Sequence, residues 1–236
     1  LLLVRGIPPL LKNSQVEEVH FQDEEGGLST DDVLVVGDVG QNRRRKLVAQ
    51  VKRNFTVSSN NQSCIDTFSD FWADFQNSDL FDPESDRLAL ITLRGTNTLL
   101  DKFAGLLDCA RASTDGEDFQ RRLSTEGLLS KKARRQADHV WTILDEKSEE
   151  SPSDDEFWQF LCVLNVISFD LNTQTAQHES WIKTLLAQSA TEPDQMEAAK
   201  STWNELLRMV GGEEGMPVAG SFEYEDLPEE LRVRHE

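Results

Sequence analysis

The chain lacks what several common chemistries need. Three cysteines, Cys64, Cys109 and Cys162, lie far apart among 236 residues. They form no CxxC pair and no zinc-ligand spacing, which argues against a disulfide scaffold and a zinc centre. They read as reduced thiols of a cytosolic protein, and the expected location is cytoplasmic. No GxxxxGK[ST] or GxGxxG is present, so VVGDVG at 35–40 is not read as a nucleotide loop. No GxSxG is present either, and His20, His139, His178 and His235 lack ligand spacing. The histidines read as surface or packing residues. The apolar opening, LLLVRGIPPLL, is too short to span a bilayer and lacks a signal-peptide pattern. It reads as the end of a packing helix stopped before Pro8-Pro9, and no membrane partner is expected.

Positive charge is also scarce. Lys and Arg number 24 against 43 Asp and Glu, a net charge of −19. Acidity of this size argues against a general nucleic-acid binder. The deficit is uneven: residues 1–147 carry net −5 and residues 148–236 net −14. The first part holds two basic clusters, Arg43 to Lys46 and Lys131 to Arg135, and each alone reads as a solvated face. Five tryptophans, Trp72, Trp141, Trp158, Trp181 and Trp203, fall on apolar helix faces and read as core. There is no internal repeat and no low-complexity tract.

What is present points to an α/β fold, with an α/β core followed by helices. Residues 16–21 alternate loosely and suit a strand. Val33 to Val36 and Leu47 to Val51 are β-branched runs joined by a Gly- and Asn-containing turn, Gly37 to Asn42, the pattern of a β-hairpin. Residues 64–77 place Ile65, Phe68, Phe71, Trp72 and Phe75 at helical spacing. RLALITL, 87–93, is an apolar run suited to a strand buried on both faces. From Thr98 onward the period is helical: 98–112, then 115–145 with breaks. Ser153 suits an N-cap, with acids in the first turn after it. FWQFLCVLNVISFDL, 157–171, is too apolar for a surface helix and suits part helix, part strand. Further helices are expected over 176–189 and 193–210, with Pro193 in a first turn. Gly211 to Gly220 breaks the pattern.

The chemically sharpest stretch is DDVLVVGDVGQNRRRKLVAQVK, Asp31 to Lys52. Side chains alternate along a strand, so Gln50 and Lys52 share a face and Val51 points away. If the hairpin pairs across its turn, Asp32 comes near Gln50 and Lys52. A carboxylate, a second oxygen donor and an ammonium suit a hard divalent cation and a phosphate.

This Asp…QxK pattern, followed by a helix and a buried strand, resembles the PD-(D/E)xK nuclease superfamily in the QxK variant of Mrr-like restriction endonucleases. FQDEEGGLSTDDVLVV, 21–36, with VAQVK, 48–52, is similar to the double-stranded DNA endonuclease domain of bacterial antiphage proteins. These include antiviral STAND (Avs) NTPases and cyclic-nucleotide-activated effectors. DEFWQFLCVLNVISFDL and FEYEDLPEELR resemble the helical part of such proteins and its junction into an NTPase module.

The resemblance implies a restriction-endonuclease-like nuclease core over 1–110 and a helical extension packed on it over 111–212. It also implies a linker over 213–236 towards a further module, the chain being a fragment of a longer polypeptide. The implied activity is metal-dependent hydrolysis of double-stranded DNA, switched on by self-association through that module. Asp32, Gln50 and Lys52 would be catalytic. Asp32, the Gln50 amide oxygen and the Val51 carbonyl would hold Mg²⁺ or Mn²⁺, with Glu24, Glu25 and Asp31 as further candidate acids. Arg43, Arg44, Arg45, Lys46 and Arg53 would contact the DNA backbone. Gln50 departs from the superfamily pattern, where an acid stands at that position, and a neutral amide binds a cation less strongly. The competing expectation is an inert nuclease-fold module for interaction or oligomerisation.

Overall fold

A computed structural model describes residues 14–21, 27–30, 32–41, 43–94, 98–168, 177–190, 193–211, 220–223 and 226. The fold is mixed α/β, and the chain divides into two compact units. The first comprises Leu1–Gly26, Asp31–Leu47 and Asp170–Glu236; the second comprises Gly27–Thr30 and Val48–Phe169.

In the first unit, β1 (Gln15–Phe21) pairs antiparallel with β2 (Val33–Asp38), from Gln15 opposite Asp38 to Phe21 opposite Val33. The register shifts once, between Val16 and Glu18. Val16, Val19, Val35 and Val36 are buried on this ladder. β6 (Gly220–Glu223) lies antiparallel on the other side of β1, so the strands run β3-β2-β1-β6. Sequence patterning did not find β6, because four residues are too few for a periodic signal.

β3 (Arg44–Asn54) starts earlier than the apolar pattern suggests. Gly37 and Asp38 belong to β2 and Arg44 to Lys46 belong to β3, so the turn is only Val39 to Arg43. The Val39 amide donates to the Arg43 carbonyl (2.9 Å) and the Arg43 amide to the Gly40 carbonyl (3.3 Å). The Asp38 carboxylate accepts from the Gly40 amide at 2.7 Å. Gly40 (φ +82°) and Gln41 (φ 59°) turn the chain through the left-handed region, which is why a glycine stands there. α6 (Gln177–Ser189) and α7 (Gln195–Gly211) pack through Leu186, Ala187, Ala199, Ile182 and Trp203. Pro193 lies ahead of α7 rather than in its first turn. The cap is Asp194, whose carboxylate accepts from the Glu197 amide at 3.1 Å.

In the second unit the strands run β5-β4-β3. β4 (Arg87–Arg94) and β5 (Leu164–Ser168) are parallel, from Leu88 opposite Leu164 to Thr92 opposite Ser168. Residues 154–168 resolve into α5 (Asp154–Val163) running directly into β5, the helix-then-strand division expected for that apolar run. α1 (Gln62–Gln76) starts at its N-cap Asn61 and buries Phe68, Phe71, Trp72 and Phe75. Residues 98–111 are a π-helical turn (Thr98–Phe103) continuing into α2 (Ala104–Arg111). α3 (Gly116–Ser124) and α4 (Lys131–Lys147) are capped by Asp115 and Ser130.

The core of this unit is aromatic. Trp72 stacks on Phe75 with centroids 5.3 Å apart, and Phe160 meets both rings edge-on. Edge-on contact sets the positive ring edge against the negative face, which adds to the area buried. Trp141 meets Phe157 edge-on at 5.1 Å, and Trp158 donates its indole N–H to the Ala110 carbonyl at 2.8 Å. These tryptophans pack, as their helical spacing indicates. The side chain of Trp181 lies outside the described residues.

Candidate functional site

β3 carries the QxK pair. Val48 and Ala49 are fully buried, and the strand becomes steadily more accessible towards Asn54. Gln50 is only 5 % exposed; Val51 and Lys52 are half-buried and Arg53 is exposed. A buried amide costs several kcal/mol, on the order of 2–7, unless it is hydrogen-bonded. Gln50 and Val51 each have a bonding partner in the fold. Lys52 lies two residues beyond Gln50, and one strand face carries both. This places a buried amide and an ammonium on one face where the strand emerges from the core.

Asp32 is half-buried, immediately ahead of β2, and is also engaged by a partner. Glu24, Glu25 and Asp31 lie outside the described residues. Arg43, Arg44 and Arg53 are exposed and Arg45 and Lys46 half-buried. Arg44 bonds to Glu18 at 3.1 Å and Glu17 at 3.6 Å, so part of its charge is committed within the first unit. His20 is 3.0 Å from Glu18, and the side chain of His178 and all of His235 lie outside the described residues.

A feature that sequence patterning missed lies in the second unit. Asp74, 2 % exposed on α1, accepts from the Ser29 amide at 2.5 Å and the Thr30 amide at 3.0 Å. A buried carboxylate thus fixes the backbone two residues before Asp32. The signal was present: Asp74 falls among Phe71, Trp72 and Phe75, on the face that the apolar spacing assigns to the core. A carboxylate there requires buried donors.

The oxygen donors that β3 itself offers, the Gln50 amide and the Val51 carbonyl, fit a hard cation such as Mg²⁺ in kind. Among the described residues no three His, Cys, Asp or Glu side chains come together in a way that could hold an ion.

The thiols are free, and none is set up as a nucleophile. Burial pushes Cys64 up to about 11, only partly offset by the Ser58 amide that donates to its sulfur. Burial likewise pushes Cys162 up to about 11, against the lowering effect of Arg111 and Arg87. Cys109 is also raised by burial.

No protein-family model, no curated protein and no solved structure matches the chain. Among the described residues no helix is long and apolar enough to cross a membrane.

Proposed function

We propose that the chain is a metal-dependent endonuclease domain of the PD-(D/E)xK type that hydrolyses phosphodiester bonds of double-stranded DNA. The observation that carries this reading is Gln50, a polar side chain only 5 % exposed. It stands two residues before a half-buried lysine on one face of a strand emerging from an aromatic core. An isolated amide gains nothing in such a position, whereas an oxygen donor beside an ammonium suits a cation and a phosphate together. The inclusion of Asp32 rests on the Asp…QxK sequence pattern.

In this reading the Gln50 amide oxygen and the Val51 carbonyl would hold Mg²⁺ or Mn²⁺, and the sequence pattern adds the Asp32 carboxylate. When bound, the ion would lower the pKa of a water and offset charge on the scissile phosphate. The Lys52 ammonium orients the attacking water and stabilises charge developing on the phosphorus oxygens. Arg43, Arg45, Lys46 and Arg53 hold the DNA backbone without reading bases. The chain beyond residue 147, with net −14, would repel a DNA backbone laid against it. As part of an antiphage protein, the domain would be switched on when a further module brings copies together.

The test is plasmid nicking with and without Mg²⁺, by the native chain and by Lys52→Ala. Lys52 is half-buried at the end of the apolar part of β3, so the variant should keep its circular dichroism spectrum and melting temperature. Cleavage should be lost in chelator and in the variant. Equal cleavage by a folded Lys52→Ala chain would remove the site assignment. Gln50→Glu should tighten metal binding, because a carboxylate replaces a neutral amide. A loss of metal affinity there would show that Gln50 is not a ligand.

A further inference from the structure

A second site lies wholly within the second unit, apart from β3's QxK pair. The chain leaving β3 runs as an extended segment, Phe55 to Ser58, opposite one face of α4. With Thr98 and Leu99 of the π-helical turn they line a cavity of about 440 Å³. That volume falls within the range of about 300–1,000 Å³ typical of small-ligand pockets.

Its lining is specific in three ways. Lys132, Arg135, Gln136 and His139 stand at spacings of three, four and seven residues, so one face of α4 presents all four. Among the described residues no carboxylate lines the cavity, although the chain carries net −19. A second cavity, of about 690 Å³, shows the contrast, with Asp70, Glu149, Glu150 and Glu156 as well as Lys147 among its lining residues. Lys132 and Arg135 are exposed and make no ion pair among the described residues, while the Ser59 hydroxyl lies 3.0 Å from Nδ1 of His139. The third feature is Gln136. It is 5 % exposed, its Nε2 reaches the Thr98 carbonyl at 3.4 Å, and its Oε1 is buried with no hydrogen-bond partner. An orphaned acceptor in a cavity wall costs about 1–3 kcal/mol and asks for an N–H or O–H donor.

We propose that this cavity binds a nucleoside phosphate. Two cationic side chains and an imidazole, with no competing carboxylate, match a dianionic phosphate better than a carboxylate, which needs one cation. Arg135 can fork two N–H donors onto phosphate oxygens. Phe55, Val57 and Leu99 give an apolar wall for a flat ring. Gln136 lines the cavity, and a rotation of its side chain would bring the orphaned Oε1 to the N–H edge of a nucleobase. The ligand can come from two sources, a free mononucleotide or the terminal nucleotide of a strand. The site does not depend on the nuclease reading.

The test is calorimetric titration of the whole chain in chelator, with four probe sets. These are the four ribonucleoside 5′-monophosphates, the corresponding nucleosides, inorganic phosphate, and a 5′-phosphorylated single-stranded oligonucleotide. At least one monophosphate or the oligonucleotide should bind. Lys132→Ala/Arg135→Ala should weaken that binding at least about tenfold, since two charge-assisted bonds are lost. The nucleoside should be affected less than about twofold, since it lacks the charge that those bonds hold. Gln136→Leu removes the orphaned oxygen, so it should leave the melting temperature unchanged or raised while weakening phosphate ligands that carry a base. It should not weaken inorganic phosphate. Oligonucleotide binding without mononucleotide binding would assign the site to strand ends; the reverse would assign it to free nucleotides. Absence of binding by both, or binding unchanged in the double variant, overturns the proposal. Repeating the titration with Lys52→Ala separates this outcome from that of the nuclease site, because the cavity should bind equally in that chain.

Discussion

At the scale of the residue, the buried polar groups carry most of the information. Asp74 satisfies two backbone amides that lie 44 and 45 residues away in sequence. Asp74→Ala orphans both, and each unsatisfied buried N–H costs about 1–3 kcal/mol. The expected loss is therefore about 2–6 kcal/mol in urea unfolding, with the slope unchanged. A loss under half a kilocalorie would mean that the Ser29–Thr30 segment is held by other contacts. The thiols give a second prediction. With their pKa values pushed up to about 11, Cys64 and Cys162 hold far less thiolate at pH 8 than an ordinary thiol. Two units means about a hundredfold less thiolate, and the higher intrinsic nucleophilicity of a basic thiol returns about tenfold of it. Alkylation of these two in the native chain at pH 8 should thus be at least about tenfold slower than in urea. Equal rates, followed residue by residue in peptide maps, would contradict the burial that raises them.

At the scale of the element, caps and close approaches decide where helices begin. Ser153 closes α5 with a full capping box: its hydroxyl accepts from the Glu156 amide, and the Glu156 carboxylate accepts from the Ser153 amide. The Ser153 amide and hydroxyl both hold that carboxylate below the usual range. This cap was legible because Ser followed three residues on by Glu, before an apolar run, has a local meaning. Gly116 at the start of α3 is different. Its amide donates to the Asp155 carboxylate at 2.8 Å, and a Cβ would lie 2.6 Å from the Asp154 carbonyl carbon. The obstacle is backbone, which cannot swing aside. Gly116→Ala should therefore destabilise the chain by about 1–3 kcal/mol, read by thermal or urea unfolding. A neutral or stabilising result, as helix propensity alone predicts for glycine to alanine, would show that α3 and α5 can separate without cost.

At the scale of the whole molecule, charge is the relevant quantity. Residues 148–236 hold net −14, so they would repel a DNA backbone laid against them. The phosphate contacts available to a nuclease domain are then few, and each Lys or Arg contact adds about one unit to the salt slope. Binding by one copy should be weak and salt-sensitive. Cutting both strands also needs two active sites. Cleavage per molecule should rise with protein concentration, and should rise further when the chain is fused to an unrelated tetramerising coil that raises the local concentration of sites. A rate per molecule independent of both would remove assembly as the switch.

The sequence alone determined the elements whose signal is local. The helical spacing of Phe68, Phe71, Trp72 and Phe75 marks α1, and the unbroken run at 87–93 marks β4. The QxK pair on one strand face follows from the two-residue period, and the burial of the run from Phe157 follows from its apolarity. Tertiary structure decided what local pattern cannot hold. Periodicity reports which face is buried but not against what. It therefore could not find β6, which exists because β1 offers it an edge, nor the bonds from Asp74 to Ser29 and Thr30. It read Lys131 to Arg135 as a solvated face. Only the packing of α4 against Phe55 to Ser58 and Thr98 shows that the same helix face lines a cavity and leaves Gln136 Oε1 without a donor. Those relations join residues dozens of positions apart, and a chain specifies them only through the packing of its whole core.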